Sequence, residues 1–184
     1  MENRIEMLDS SARYGAVSRG LHWAMAVAFA WIYCTTGAHY LLADSALDTF
    51  LWPTHKQVGL LLMGLLLVRL LWSLLNRHRR PPSVNLAATV GHGLLYAAMF
   101  AIPFLGLLRQ YGSGRAFSAF GVPVMSGFEG PKIQWMTELG NNFHSLLGWT
   151  LLLLIVGHVA ALILHCVKGD RAILRRMAGG AARG

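Results

Sequence analysis

The stretch FHSLLGWTLLLLIVGHVAALILHCV, Phe143 to Val167, decides how this chain is read. It is long and apolar enough to cross a bilayer, which takes about 20 residues. Yet it holds three histidines, His144, His158 and His165. A helix rises about 1.5 Å and turns about 100° per residue, so the fourteen steps from His144 to His158 advance about 21 Å and return to nearly the same face. Two imidazoles then look one way at two depths in hydrocarbon, where ionisable groups are costly and usually functional. Imidazole is also the commonest protein metal ligand.

Working outward, three more apolar blocks appear. The predicted spans are about 21–42, 55–75, 90–108 and 143–167, and the fold class expected is an all-α membrane protein, a four-transmembrane-helix bundle forming a single domain over 1–184. Composition agrees, with 55% hydrophobic and only 13% charged residues, against about 25% charged in ordinary soluble domains. The net charge of +8 sits at block edges, as membrane topology requires, so no nucleic-acid partner is expected. The two cysteines, Cys34 and Cys166, fall near opposite faces, which argues against a disulfide. The absence of C-x-x-C-H excludes covalent c-type haem. Met1 to Arg19 carries acids and lacks the apolar core of a signal peptide, so block one is expected to be retained as a span. Pro81-Pro82 marks the second connection, interior Pro103 is tolerable in a membrane helix, and the tail from Gly179 is Gly/Ala-rich.

Arg4, Arg13, Arg19, Arg77, Arg79, Arg80, Lys168, Arg171, Arg175, Arg176 and Arg183 fall on one side. Lys56, Arg109, Arg115 and Lys132 fall on the other, and Arg69 is left inside block two. The positive-inside rule then predicts both termini cytoplasmic. The third connection, Gln110 to Asn142, is expected outside as a cap over the outer face.

On that topology His22 opens helix one at the inner face, His55 helix two at the outer face, His92 helix three at the inner face and His144 helix four at the outer face. Haem suits facing pairs of imidazoles, built from side chains on facing helices; zinc prefers a tight cluster of three or four ligands. The outer pair is His55 with His144. The inner pair is His22 with a helix-four histidine. Depth matching favours His165, whereas the shorter gap between irons, about 21 Å against about 31 Å by helical rise, favours His158, which is preferred. His39 and His78 read as interfacial polar groups. Gly37, Gly59, Gly64, Gly148 and Gly157 leave room for a macrocycle, though glycines also serve helix packing alone. Arg69 either meets a haem propionate or snorkels to the inner surface, and Arg19 is a second candidate propionate contact.

With those residues placed, the chain resembles the bacterial cytochrome b561 family from about Arg13 to Met177. The resemblance rests on Arg19-Gly20-Leu21-His22-Trp23, His55 with Gly59, Val68-Arg69-Leu70, Gly91-His92, and Ile102-Pro103-Phe104-Leu105-Gly106-Leu107. Ala119-Phe120-Gly121, His144, Gly157-His158, Lys168-Gly169-Asp170 and Leu174-Arg175-Arg176-Met177 complete it. It implies two non-covalent haem b, an inner one on His22 and His158 and an outer one on His55 and His144. Family members with a further helix serve hydrogenases and formate dehydrogenases, whereas four spans look like the stand-alone branch, which resembles superoxide oxidases. The implied activity is superoxide:quinone oxidoreduction in the bacterial inner membrane, from an outer-face donor to ubiquinone. Lys56, Arg109, Arg115 and Lys132 would steer the anion. His92 and His165, with Arg69, are candidates for the quinone site. Other expected partners are membrane lipid and a second copy in a homo-oligomer. The rival readings are a relay subunit of a dehydrogenase or hydrogenase complex, and a non-catalytic haem or metal carrier.

Overall fold

The structure, a computed structural model, describes residues 7–178. Arg4, Arg183 and the tail from Gly179 lie outside the described residues. The order is α1 (Ala16–Leu41), α2 (Ala46–Leu51), a 3₁₀ turn (Trp52–Thr54), α3 (His55–Leu75), α4 (Leu86–Gly112), β1 (Phe117–Ala119), β2 (Val122–Met125), α5 (Gln134–Val167) and α6 (Ala172–Ala178).

Local chemistry marks the helix starts. The Asn85 side chain accepts from the Ala88 amide at 2.8 Å to cap α4. Ser45 accepts from the Asp48 amide to cap α2. α1 starts differently: its Gly15 amide donates to the Asp9 carboxylate at 2.8 Å. Only glycine fits there, because a Cβ would lie 2.4 Å from the Leu8 carbonyl carbon.

The helices are longer than the apolar blocks. α1 begins at Ala16 rather than at residue 21, α4 spans Leu86–Gly112 rather than 90–108, and α5 begins at Gln134 rather than at 143. Hydropathy sees only the apolar part of a helix. The first turns of α5 carry exposed Gln134, Glu138, Asn141 and Asn142, with Gln134 bonded to Glu138 one turn on. His144 therefore sits well inside α5 and does not open it. His22 and His92 likewise lie in the second turn of α1 and α4 rather than at their first residues. The third connection shrinks to 113–133, and half of it is the β1–β2 hairpin.

That hairpin pairs Ala119 with Val122 across Phe120 and Gly121, at φ 51° and 81°. Both central residues are left-handed, the turn that matches strand twist. Its Phe117 and Ala119 are buried, and β1 lies against α3.

Packing divides the bundle into two helix pairs. α1 packs on α3 and α4 on α5, with α3 against α4 joining the pairs, while α1 meets α5 through side chains such as Tyr33, whose hydroxyl donates to Gly148 O at 3.0 Å. Met25, Ala28, Leu62 and Leu66 form the core between α1 and α3, with Tyr96 and Met99 of α4 against it. Among the described residues three helical stretches, Ala46–Leu75, Leu86–Gly112 and Gln134–Val167, are long and apolar enough to cross a membrane. Their apolar faces are turned outward: the most apolar window of α4 buries nothing inside the protein, as expected of surface solvated by lipid.

At one end three basic segments meet. The Tyr14 amide donates to Arg176 O at 3.3 Å, Arg176 donates to Pro82 O at 3.3 Å, and Trp23 Nε1 donates to Met177 O at 3.2 Å. Arg80 pairs with Asp9 at 3.0 Å, the carboxylate being fully buried. The second connection is thus tied to both ends of the described chain.

Candidate haem-binding histidine pairs

α1 and α3 carry His22 and His55; α5, in the opposing helix pair, carries His144 and His158. The rings meet across the divide. His55 and His144 have ring centres 6.2 Å apart at 68°. His22 and His158 are 6.4 Å apart at 66°. An imidazole nitrogen binds a first-row metal at about 2 Å and its ring centre lies roughly 1.1 Å behind it, so two rings on opposite faces of one ion have centres about 6.3 Å apart. Both pairs sit at that separation. His92 also reaches His158, but at 5.3 Å, shorter than the separation of two rings on opposite sides of one ion. His165 lies in the last turn of α5, about two turns beyond His158.

The Nδ1 atoms of His144 and His55 each have a close polar neighbour. His144 Nδ1 lies 2.9 Å from Ile102 O. A carbonyl only accepts, so Nδ1 bears the proton and Nε2 keeps a lone pair for a metal. His55 Nδ1 lies 2.8 Å from Thr35 Oγ1. Gly106 lets His144 come this close, since a Cβ there would be 3.0 Å from its Cε1 and 3.2 Å from its Nδ1.

His22 is held otherwise. Arg69 Nη1 lies 3.0 Å from His22 Nδ1, and its guanidinium lies over the Tyr96 ring at 5.7 Å. A guanidinium only donates. A neutral imidazole ligating through Nε2 carries its one proton on Nδ1, so this contact and ligation exclude each other. Arg69 must leave His22 when that ring takes a metal, and a carboxylate arriving with the ligand, such as a haem propionate, is the partner a freed guanidinium would take. Arg19 points elsewhere, donating to Tyr14 O at 2.9 Å.

The donor set therefore fits b-type haem: four imidazoles in two facing pairs, each offering or able to offer one nitrogen. Among the described residues no cluster of three or more His, Cys, Asp or Glu side chains suits a metal ion held by protein alone. Several helix glycines also leave open space beside the backbone. A Cβ added at Gly37, Gly59, Gly64, Gly91, Gly93, Gly148 or Gly157 would meet nothing within 4 Å.

Around His55 and His144 lie cations. Lys56 Nζ donates to Gln110 Oε1 at 2.9 Å, and Arg115 and Arg109 are within electrostatic reach of it. Arg109 also acts on His144. The buried Gln110 holds the loop in place by donating to Arg115 O at 2.9 Å. His39, read from sequence as an interfacial group, is tied to Asp48 at 3.0 Å and stacks on Trp52 at 3.7 Å. Trp52 in turn tilts against His55 at 5.1 Å. His78 remains in the second connection, accepting from Arg77 at 2.9 Å.

Sequence reasoning missed Thr35, Gly106 and the Ile102 carbonyl. Thr35 leaves only a threonine in an apolar block as a signal, and Ile102 and Gly106 appear only within a stretch shared with the family; none of these says which ring it meets.

A family model described as prokaryotic cytochrome b561 matches residues 13–180. The chain is 29% identical over 182 residues to cytochrome b561 homolog 2 of Escherichia coli strain K12, covering 93% of this chain and 94% of that protein. It is 27% identical over 175 residues to the probable superoxide oxidase CybB of Yersinia pestis, covering 90% and 96%. Cytochrome b561 homolog 1 of the same Escherichia coli strain is 27% identical over 176 residues, covering 90% and 97%. With an apolar helical bundle and histidines suited to haem, the chain belongs to the prokaryotic cytochrome b561 family of membrane electron-transfer haem proteins.

Proposed function

We propose that this chain is a superoxide:quinone oxidoreductase of the bacterial inner membrane. On this reading it is one domain over 1–184 with four spans, α1 being the fourth, and both termini face the cytoplasm. His55 and His144 hold an outer haem b, and His22 and His158 hold an inner one. Haem b, when bound, supplies a one-electron carrier near each leaflet.

The observation that carries the reading is the matched separation of the two imidazole pairs, 6.2 and 6.4 Å, on opposing helix pairs and about 21 Å apart along α5. His158 rather than His165 completes the inner pair because it is the ring that meets His22. Lys56, Arg109, Arg115 and Lys132 give the outer end the charge that attracts a small anion by long-range steering. Arg69, at His22, is the basic side chain placed to take a propionate, and Arg19 would have to leave Tyr14 O to do so. A quinone needs a hydrogen-bond donor and a proton route at the inner end; His92, beside His158, and His165 offer both. The ends of the chain follow from charge: the segments joined through Arg176, Pro82 and Tyr14 carry most of the lysines and arginines, which the cytoplasmic side favours.

The test is purified protein mixed anaerobically with superoxide and a ubiquinone analogue, following haem absorbance and quinol. Two b-type haems per chain, superoxide-driven quinol formation, loss of the outer haem in His55→Ala and of the inner haem in His158→Ala are expected. One haem per chain, or loss of the inner haem in His165→Ala but not in His158→Ala, would overturn the ligand assignment. A protein idle alone, and active only beside a co-purifying dehydrogenase, would overturn the enzyme reading.

A further inference from the structure

We propose that Thr35 is the positioning residue of the outer site: its hydroxyl fixes His55 in the tautomer that presents Nε2 to iron. This rests on the reading of His55 as an iron ligand. Thr35 is wholly buried, at 0% exposure. Its Oγ1 lies 2.7 Å from Ile32 O one turn back and 2.8 Å from His55 Nδ1. A hydroxyl has one hydrogen. The Ile32 carbonyl can only accept, so that hydrogen goes to it; given to His55 instead, it would leave two oxygens facing each other at 2.7 Å with no proton between them. Thr35 Oγ1 is therefore the acceptor toward the ring, Nδ1 carries the imidazole proton, and Nε2 is left with its lone pair.

Ordinary helix chemistry explains only half of this. Threonine hydroxyls in helices commonly bond the carbonyl three or four residues back, which accounts for Ile32 and not for His55. The ring is brought to the hydroxyl by a second tie between the same two helices. Trp31, one turn before Thr35, donates Nε1 to Thr54 Oγ1 at 2.8 Å, and Thr54 is the residue before His55. α1 thus holds the first turn of α3 by two side chains and aims its leading imidazole.

The two outer ligands are set by different means. His144 uses a backbone carbonyl, which no substitution at that residue removes. His55 uses a side chain, so the effect can be isolated. An acceptor at Nδ1 raises the basicity of Nε2 and stabilises the oxidised metal; such outer partners matter about 10–100-fold to metal affinity when lost.

The experiment compares T35V, T35S and H55A in the haem-loaded protein. It reads haem retention during dilution against apomyoglobin, and the midpoint potential of each haem by spectroelectrochemistry. T35V preserves shape and removes the acceptor. It is expected to weaken retention of the outer haem about 10–100-fold and to raise its potential, with the inner haem unmoved; T35S restores both. If H55A empties the outer site while T35V leaves retention and potential at wild-type values, Thr35 has no positioning role and the ligand reading stands. If H55A keeps both haems, the ligand reading falls and this proposal with it. Should T35V not accumulate, T35S against T35A makes the same comparison, and equal outer-haem potentials in those two overturn the proposal.

Discussion

At the scale of single residues, an imidazole is useful to a metal only if its other nitrogen has a fixed partner. In this protein the groups beside the histidine rings are undistinguished: a threonine hydroxyl, a helix carbonyl and the missing side chain of Gly106. The last yields a clear prediction. In Gly106→Ala the new methyl meets His144 at 3.0–3.2 Å, tighter than ordinary van der Waals contact. The ring must shift by a few tenths of an ångström and its bond to Ile102 O, now 2.9 Å, is strained. The outer haem is expected to fall below one per chain with the inner haem retained, checked by pyridine haemochrome and low-temperature difference spectra. Arg69 argues at the same scale from the opposite sign. It donates where a ligating His22 must itself donate, so Arg69→Gln is expected to ease the inner ring's tautomer while weakening the hold on a propionate. Inner-haem retention checks which effect dominates: retention below wild type means the propionate contact outweighs the release of His22.

Among the elements, α4 and α5 make the most extensive contact in the bundle. Two glycines permit it. A Cβ on Gly140 would stand 2.4 Å from Arg109 Cβ and 3.0 Å from Leu105 O, and one on Gly112 would stand 2.6 Å from Met136 Cβ. Close approach through small residues is how helices pack in lipid, where apolar burial gives little drive. Gly140→Ala is therefore expected to pry α4 from α5 at a cost of about 1–3 kcal/mol, seen as a lower melting temperature in detergent. The helical stretches and their rough register were legible from apolar runs, and Asn85 as an N-cap follows from residue type. Their true ends were not. α5 runs back through Gln134, Glu138 and Asn142 because a helix propagates as long as its backbone bonds do, whereas hydropathy stops at the first polar turn. The β1–β2 hairpin, hidden in a Gly-rich connection, depends on Phe120 accepting a left-handed conformation that residue type alone does not announce.

For the whole molecule, the two helix pairs are joined chiefly by α3 against α4, and the histidine pairs face each other across the remaining divide. A ligand bound only by the folded state stabilises it by mass action, and here it would also bridge the two halves. The haem-free protein is expected to melt well below the haem-loaded one, and His158→Ala to fall between them, measured by differential scanning fluorimetry in one detergent. Orientation has its own check. With Cys34 and Cys166 replaced, a cysteine at exposed Ser118 of the hairpin should react with a membrane-impermeant maleimide in spheroplasts, while one at exposed Ser83 should not; the reverse pattern would invert the topology. What this chain's sequence determined by itself was the solvent and the chemistry: apolar runs of bilayer length, arginines massed at one set of edges, and histidines spaced by whole turns. Those are one-dimensional properties, because hydropathy and helical phase depend only on order along the chain. His55 with His144 could be paired from order and charge, and His158 and His165 stayed rivals for His22; tertiary structure puts His158 against His22 and brings Thr35, Gly106 and Arg69 to the rings. Such pairings join residues up to some 136 positions apart, as in His22 and His158, and they arise only when helices with no local preference for one another are packed together.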